Sequence, residues 1–477
     1  MDRRDFIKHS AAAVAGTSVI LSACRNGKPN DPYGEADRST AGRLEMANDL
    51  TANGMTLRTN PNTGDKVSLL GFGMMRLPVQ AGGSARDNQD SPIDQEAVNE
   101  MVDYALEHGV NLFDTSPVYC QGLSEQSTGI ALSRHPRNSY FISTKLSNFS
   151  SDTWSLAESK AMFEHSLQEL QTDYVDYLLM HGLGMRSGGM SVMETFHKRY
   201  IENGLLDWLV GQKAQGRIRN LGFSFHGSPE DLNAILALHD VGRYHWDCAL
   251  IQLNYLDWRH AKEINKRNSN AELLYAELEK RGIPVLVMEP LLGGRLANQP
   301  DAIAHRMREK DSRFSPAAWA FRFAGSPSGV LSVLSGMSYM EHLRENIRTY
   351  SPLVPLTSDE EEWILGLAKD IFELKAIPCT TCNYCMPCPY GLNIPAIFAH
   401  YNKSVAAGTI SSADKGSEFQ RNRRAFLVGY DRAVPSIRQA DHCIGCDRCI
   451  RLCPQHIDIP HEMVRINRLV EKLKQTL

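Results

Sequence analysis

Eight short apolar runs between residues 68 and 336 set the narrowest limit on how this 477-residue chain can fold. They are Ser68–Gly73, Val110–Thr115, Tyr140–Lys145, Tyr174–His181, Ile218–Phe225, Ala249–Tyr255, Ile283–Pro290 and Val330–Gly336. Each has strand length, and amphipathic helical stretches follow most of them. Gln95–His108 gathers Val98, Met101, Val102, Ala105 and Leu106 on one helix face, and Glu158–Leu170 does so with Ala161, Met162, Leu167 and Leu170. Ser228 before Pro229 reads as an N-cap with proline at the first helical position, and Gly282 ends the helix over Ala271–Arg281. Eight strand–helix repeats over about 280 residues predict an α/β fold, a (β/α)8 TIM barrel with its site at the strand C-termini. A doubly wound sheet is the competing arrangement, and no GxGxxG follows a strand in this region.

Eight of the eleven cysteines lie in two runs beyond the repeats. Cys379, Cys382, Cys385 and Cys388 are spaced by two residues and followed by Pro389. Cys443, Cys446 and Cys449 repeat that spacing, with Cys453 after three intervening residues and Pro454 after it. Three thiolates on one short loop can grip a cubane cluster from one side. Structural zinc also uses CxxC knuckles, although it rarely needs a third Cys at the same spacing. In two-cluster ferredoxins the fourth Cys of each run ligates the other cluster. On that pattern Cys379, Cys382, Cys385 and Cys453 hold one [4Fe–4S] cluster, and Cys443, Cys446, Cys449 and Cys388 the other. The first run has two residues before its Cys-Pro where the usual run has three. Asn393-Ile394-Pro395 and Asp458-Ile459-Pro460 follow the two Cys-Pro sites alike, as in a duplicated ferredoxin-like half.

The formal net charge of −4, with no long basic block, leaves nucleic acid out of the expected partners. At the N-terminus Asp2-Arg3-Arg4-Asp5-Phe6-Ile7-Lys8 resembles a twin-arginine export signal. The apolar stretch after it, Ser10 to Ala23, is shorter than the roughly 20 residues that span a bilayer. Leu21-Ser22-Ala23-Cys24 reads as a lipobox with Cys24 as the lipidated residue, so a membrane lipid anchor and a periplasmic or cell-envelope location are expected. Twin-arginine export carries folded proteins, which lets clusters be inserted before crossing. The expected organisation is a leader over 1–24, a polar tether over 25–65, a barrel over 66–350, a linker helix within 351–378 and a ferredoxin-type 4Fe–4S domain over 379–477.

The barrel resembles the aldo-keto reductases, and the whole chain resembles their subgroup with a C-terminal two-cluster ferredoxin-like domain. The residues carrying the likeness are Gly71-Phe72-Gly73-Met74-Met75-Arg76-Leu77-Pro78, Phe113-Asp114-Thr115-Ser116-Pro117-Val118-Tyr119 with Gly122, Ser124 and Glu125 after it, Phe141-Ile142-Ser143-Thr144-Lys145, and Asp176-Tyr177-Leu178-Leu179-Met180-His181. The resemblance implies a catalytic tetrad of Asp114, Tyr119, Lys145 and His181. Hydride reduction of a carbonyl creates an alkoxide that needs a proton and an electrostatic partner. Tyr119 is the expected proton donor or acceptor, Lys145 lowers its pKa, Asp114 fixes the lysine and His181 orients the substrate oxygen. The resemblance also implies a nicotinamide cofactor, NADP or NAD. Ser224, Gln252 and Asn254 would hold its nicotinamide end, Pro290, Leu291 and Gly293 would fold over the pyrophosphate, and Ser335, Gly336, Met337, Glu345 and Asn346 would meet the adenosine. NADP-specific relatives commonly place Lys or Arg against the 2′-phosphate, where this chain offers Gly336 and His342 with Arg344 nearby, so the choice of nucleotide stays open.

The expected protein is an exported oxidoreductase that reduces a carbonyl or oxidises an alcohol, its tightly held nicotinamide recycled by a second substrate or through the clusters. Its partners are a small carbonyl or alcohol and a redox partner at the membrane. The alternatives are a tethered electron-transfer subunit that uses the barrel for docking, and a reductase with structural clusters. Gly182–Gly204, longer than a usual βα loop, reads as an adaptable apolar lid or a docking surface for the cluster domain.

Overall fold

The eight expected strands close into one parallel barrel in chain order: β4 (Leu70–Gly73), β5 (Leu112–Asp114), β6 (Phe141–Leu146), β7 (Val175–Leu183), β8 (Ile218–Phe225), β9 (Ala249–Gln252), β10 (Val285–Met288) and β11 (Val330–Gly336). β11 pairs back onto β4, with Val333 opposite Leu70 and Gly336 opposite Gly73. This is a computed structural model; it describes residues 44–86, 88, 90–264, 269–373, 376–410 and 416–475. The leader, Cys24 and positions 25–43 of the expected tether lie outside the described residues.

The barrel interior is filled by inward side chains including Leu112, Tyr177, Leu179, Leu250, Leu286, Leu331 and Leu334. A larger apolar cluster between the strands and the surrounding helices supplies most of the core. Helix starts follow the sequence signals: Ser228 accepts from the Asp231 amide at 3.1 Å with Pro229 next in line, and Ser315 accepts from Ala318 ahead of Pro316–Gly325.

Three further strands, β1 (Asn48–Leu50), β2 (Thr56–Thr59) and β3 (Lys66–Ser68), form an antiparallel sheet. Much of the segment expected as tether is therefore folded. Val67 joins the cluster that fills the barrel interior. Arg58 on β2 is 3% exposed, and its guanidinium donates to the carbonyls of Gly325 and Pro327 at 2.7 Å and of Val330. Burial pushes its pKa down to about 10. Asn60 donates to the Tyr177 hydroxyl at 3.0 Å and to Asn220 at 3.1 Å, tying the sheet to β7 and β8. These polar residues look like tether composition, but each has partners more than a hundred residues away in sequence.

The expected linker helix is present as Ser358–Glu373 and packs as part of the barrel. Ile364, Leu367, Ala368 and Ile371 place their i, i+3, i+4, i+7 stripe in the barrel's core cluster. Buried Arg322 anchors the helix start through Glu360 at 2.9 Å. The cysteine-bearing region has a separate core that includes Ile377, Ile397, Phe398, Phe426, Tyr430, Met463 and Ile466. Its helices Ile394–Ala406 and Ile459–Gln475 both begin after a capping side chain, Asn393 and Asp458, which matches the sequence echo at the two Cys-Pro sites. Barrel and cysteine region lie within one compact unit.

Arg58→Met strands three buried carbonyls and is expected to lower stability by about 2–4 kcal/mol. The check is the chemical-denaturation midpoint, and an unchanged midpoint would remove β2 from the barrel's support.

Candidate active site

Asp114 ends β5, Lys145 lies in β6 and His181 in β7, so barrel closure alone brings the three to one end. Tyr119 joins them from the turn after β5, where Cys120 and Gln121 take left-handed backbone angles (φ 48° and 58°) that fold the chain back toward the barrel. Lys145 Nζ bonds Asp114 Oδ1 at 2.5 Å and the Thr115 carbonyl at 2.7 Å, while Ser143 donates to Asp114 Oδ2 at 2.8 Å. The ammonium lies 4.7 Å from the centroid of the Tyr119 ring. Tyr119 and His181 meet edge to face with ring centroids 6.1 Å apart.

Burial, with Lys145 adding to it, holds the His181 pKa well below the ordinary histidine value, so the ring is neutral at neutral pH. Its Nδ1 lies 2.6 Å from Ser147 Oγ, which is 2.9 Å from Ser116 Oγ. A hydroxyl chain donating to Nδ1 places the ring proton on Nε2, the nitrogen that remains for a substrate oxygen. Burial, followed by the negative charge of Asp114, pushes the Tyr119 pKa well above that of a free phenol. Lys145 alone would lower it; in the folded site burial and Asp114 outweigh that effect. The phenol therefore carries its proton at neutral pH, and the paired ammonium beneath the ring is placed to stabilise the phenolate left when that proton is given up.

The segment after β7 acts on His181 from behind. Val192–Phe196 continues into a π-helical turn over His197–Ile201 that buries Arg199. Arg199 Nη2 donates to the His181 carbonyl at 2.9 Å and to Asn148 Oδ1 at 3.0 Å. Part of the expected lid is therefore a buttress. Behind Lys145, Glu125 is 1% exposed and accepts from Thr144 and Ser166; burial pushes its pKa up to about 7.

The cysteine region forms one wall of this site. Arg76 donates to the Thr380 carbonyl at 3.0 Å, Arg86 donates to the Thr381 carbonyl, and Asn383 donates to the Arg86 carbonyl at 2.6 Å. Tyr384 reaches Phe149, with ring centroids 6.3 Å apart, and Phe149 packs on His181 at 4.8 Å. Burial, followed by the negative charge Tyr119 would carry if ionised, pushes the Tyr384 pKa well above the ordinary phenol value. Sequence reasoning missed Arg86, Ser147, Arg199, Tyr384 and Gln455. A bulky aromatic between cluster cysteines was the available signal for Tyr384; Arg86 sits in a polar insertion with no signal at all.

The expected nicotinamide contacts are placed around the same rim, engaged with protein partners. Ser224 Oγ accepts from the Gly182 amide at 2.8 Å. Gln252 donates to Asp257 and exchanges two amide bonds with Gln455 of the cysteine region, at 3.1 and 2.7 Å. Asn254 donates to Asp257 at 2.7 Å and to the Glu289 carbonyl at 3.1 Å. Gly293 has φ 67°, and a Cβ there would come within 2.5 Å of Thr380 Cα, so the loop of Pro290, Leu291 and Gly293 lies directly on the first cysteine loop. Arg76 covers Gly336, Met337 is buried, Asn346 donates to Ser335 at 3.0 Å, and Glu345 accepts from Ser315. Arg344 stacks over Tyr104.

The eight cysteines fall into two neighbourhoods. Cys388, Cys443, Cys446 and Cys449 line one cavity with Leu392, Ile459 and Met463. Cys388, the fourth cysteine of the first run, therefore lies with the second run.

Two family models match the chain, the aldo/keto reductase family over residues 69–364 and a 4Fe-4S dicluster domain over 378–459. L-galactose dehydrogenase of Arabidopsis thaliana is 28% identical over 324 residues, covering 64% of this chain and 91% of that protein. D-arabinose 1-dehydrogenase of Saccharomyces cerevisiae is 26% identical over 324 residues, covering 62% of this chain and 90% of that protein. Among solved structures, the holo form of aldo-keto reductase AKR11C1 from Bacillus halodurans superposes with a TM-score of 0.50 at 24% identity, covering 66% of this chain and 96% of that one, a likeness of fold. The chain is an oxidoreductase, with a 4Fe–4S domain after its barrel, that belongs to the aldo/keto reductase family.

Proposed function

We propose that this oxidoreductase interconverts a carbonyl and an alcohol at the tetrad, with two [4Fe–4S] clusters as an electron-transfer arm docked on the same site. The observation that carries the reading is Tyr384: it lies between cluster cysteines, and its ring packs on Phe149, which packs on His181 of the tetrad. In reduction, His181 Nε2 donates to the carbonyl oxygen, and carbon gains two electrons and one proton as hydride. Tyr119 supplies the second proton to the developing alkoxide, and Lys145, held by Asp114, offsets the negative charge left on the phenol. A docking scaffold would have no use for this geometry. Two relatives are named as dehydrogenases of L-galactose and D-arabinose, which supports a sugar hydroxyl or carbonyl as substrate.

The hydroxyl and amide side chains of Ser224, Gln252 and Asn254, with small residues at Gly293 and Gly336, fit NADP or NAD in donor chemistry. That cofactor supplies or accepts the hydride when bound. The loop Thr380–Tyr384 and Gln455 cover its contacts, so entry requires the cysteine region to withdraw from the rim. Cys379, Cys382, Cys385 and Cys453 would hold one cluster and Cys388, Cys443, Cys446 and Cys449 the other. Clusters carry electrons singly, and two of them match the two electrons of one turnover. The twin-arginine pattern and Cys24 support export and lipid anchoring at the cell envelope, with a membrane redox partner. Among the described residues no helix is long and apolar enough to cross a membrane.

Tyr119→Phe is expected to lower carbonyl reduction by about 10²- to 10⁴-fold while leaving the iron content and cluster EPR signals intact. Equal activity in the variant would move the proposal to the scaffold reading. Gln455→Ala frees the Gln252 amide and is expected to tighten nicotinamide binding about tenfold in a fluorescence titration, the equivalent of 1.4 kcal/mol.

Glu125, with a folded pKa of about 7 against an ordinary 4.5, binds its proton more tightly when folded. Its contribution to stability is full below about pH 4.5 and is lost as pH rises through 7, roughly 3 kcal/mol in all. Denaturation of Glu125→Gln between pH 5 and 8 should lack that slope, and a parallel profile in both proteins would contradict it.

A further inference from the structure

The first cysteine loop meets two barrel arginines whose hydrogen bonding is incomplete. Arg86, 8% exposed, uses Nε on the Thr381 carbonyl and directs Nη1 to Met75 Sδ at 3.5 Å, while its Nη2 is buried without a partner. Arg295, two residues beyond the Gly293 contact with Thr380, has a buried, unpartnered Nη1. Thr380 Oγ1, on the residue after Cys379, is a third such atom. Both arginines thus reach the first cysteine loop, Arg86 through the Thr381 carbonyl and Arg295 through the Gly293 turn that lies on Thr380.

A buried donor left without an acceptor costs about 1–3 kcal/mol, more when it is charged. Three incomplete groups around one cysteine, two of them cationic, therefore point to an acceptor of negative charge at that place. A [4Fe–4S] cube on four thiolates is anionic and presents sulfur acceptors, and its potential rises with hydrogen bonds to sulfur and with nearby positive charge. The second cysteine group has a different environment: its cavity is lined by Asp447 and apolar residues, with no arginine.

Resting on the cluster reading above, we propose that Arg86 and Arg295 are donors from the barrel to the cluster at Cys379, Cys382, Cys385 and Cys453. They raise the reduction potential of that cluster alone. The barrel in this way sets the redox level of the centre nearest its own tetrad, and the docked contact acts as an electronic connection as well as a mechanical one.

The test is an EPR-monitored redox titration of the anaerobically purified full chain, with iron quantified in each sample. Arg295→Met should move one of two midpoints to more negative potential and leave the other in place, and Arg295→Lys should restore most of the shift. Arg86→Met should move the same midpoint, and it serves if Arg295→Met does not fold. Full iron with neither midpoint moved, or with both moved equally, overturns the proposal and leaves the cluster reading standing. Wild-type protein without cluster iron overturns both, and the iron assay distinguishes that case.

Discussion

A single buried ion pair organises the catalytic end of the barrel. Lys145 and Asp114 are almost wholly removed from water, and such a pair is stable only where further hydrogen bonds complete it. The Thr115 carbonyl and the Ser143 hydroxyl do so here. The pair fixes β5 against β6, places a cation under the Tyr119 ring and adds to the burial that keeps His181 neutral. Proton donor and hydrogen-bond donor are thus both prepared before any substrate arrives, which lowers the reorganisation needed during reaction.

The second constraint is the contact between the cysteine region and the rim. Side chains from β4's following loop, from the Pro78–Pro92 insertion and from β9 all bond to residues beside cluster cysteines. None of these bonds is strong alone. Together they place an aromatic ring from a metal-binding loop inside a catalytic pocket. The cysteine region lies over the strand C-termini, where chemistry occurs in this architecture.

The parts that were legible in the sequence are those with local signals. Strand and helix periodicity located all eight barrel strands, and four strand-end motifs located the tetrad. Cysteine spacing located the 4Fe–4S domain that the family model matches over residues 378–459. What escaped depends on partners distant in the chain. Arg58 and Asn60 read as tether composition because the carbonyls and side chains they satisfy lie well over a hundred residues away. The Ser358–Glu373 helix was visible by its periodicity, but the surface its apolar stripe would cover was not. The Tyr119 pKa was argued from one neighbour, Lys145, when burial and Asp114 decide it. Arg86 lay in an insertion whose composition says nothing about contact.

The wall formed by Thr380–Tyr384 is the loop that carries the first cysteines. On the proposed cluster reading, iron supply and oxygen exposure would bear on the enclosure around the tetrad. A chain that failed to acquire its inorganic core, or lost it to air, would keep an intact barrel and tetrad yet lack one side of its substrate enclosure. On that reading, maturation of the metal domain would act as a checkpoint on organic catalysis, enforced by geometry.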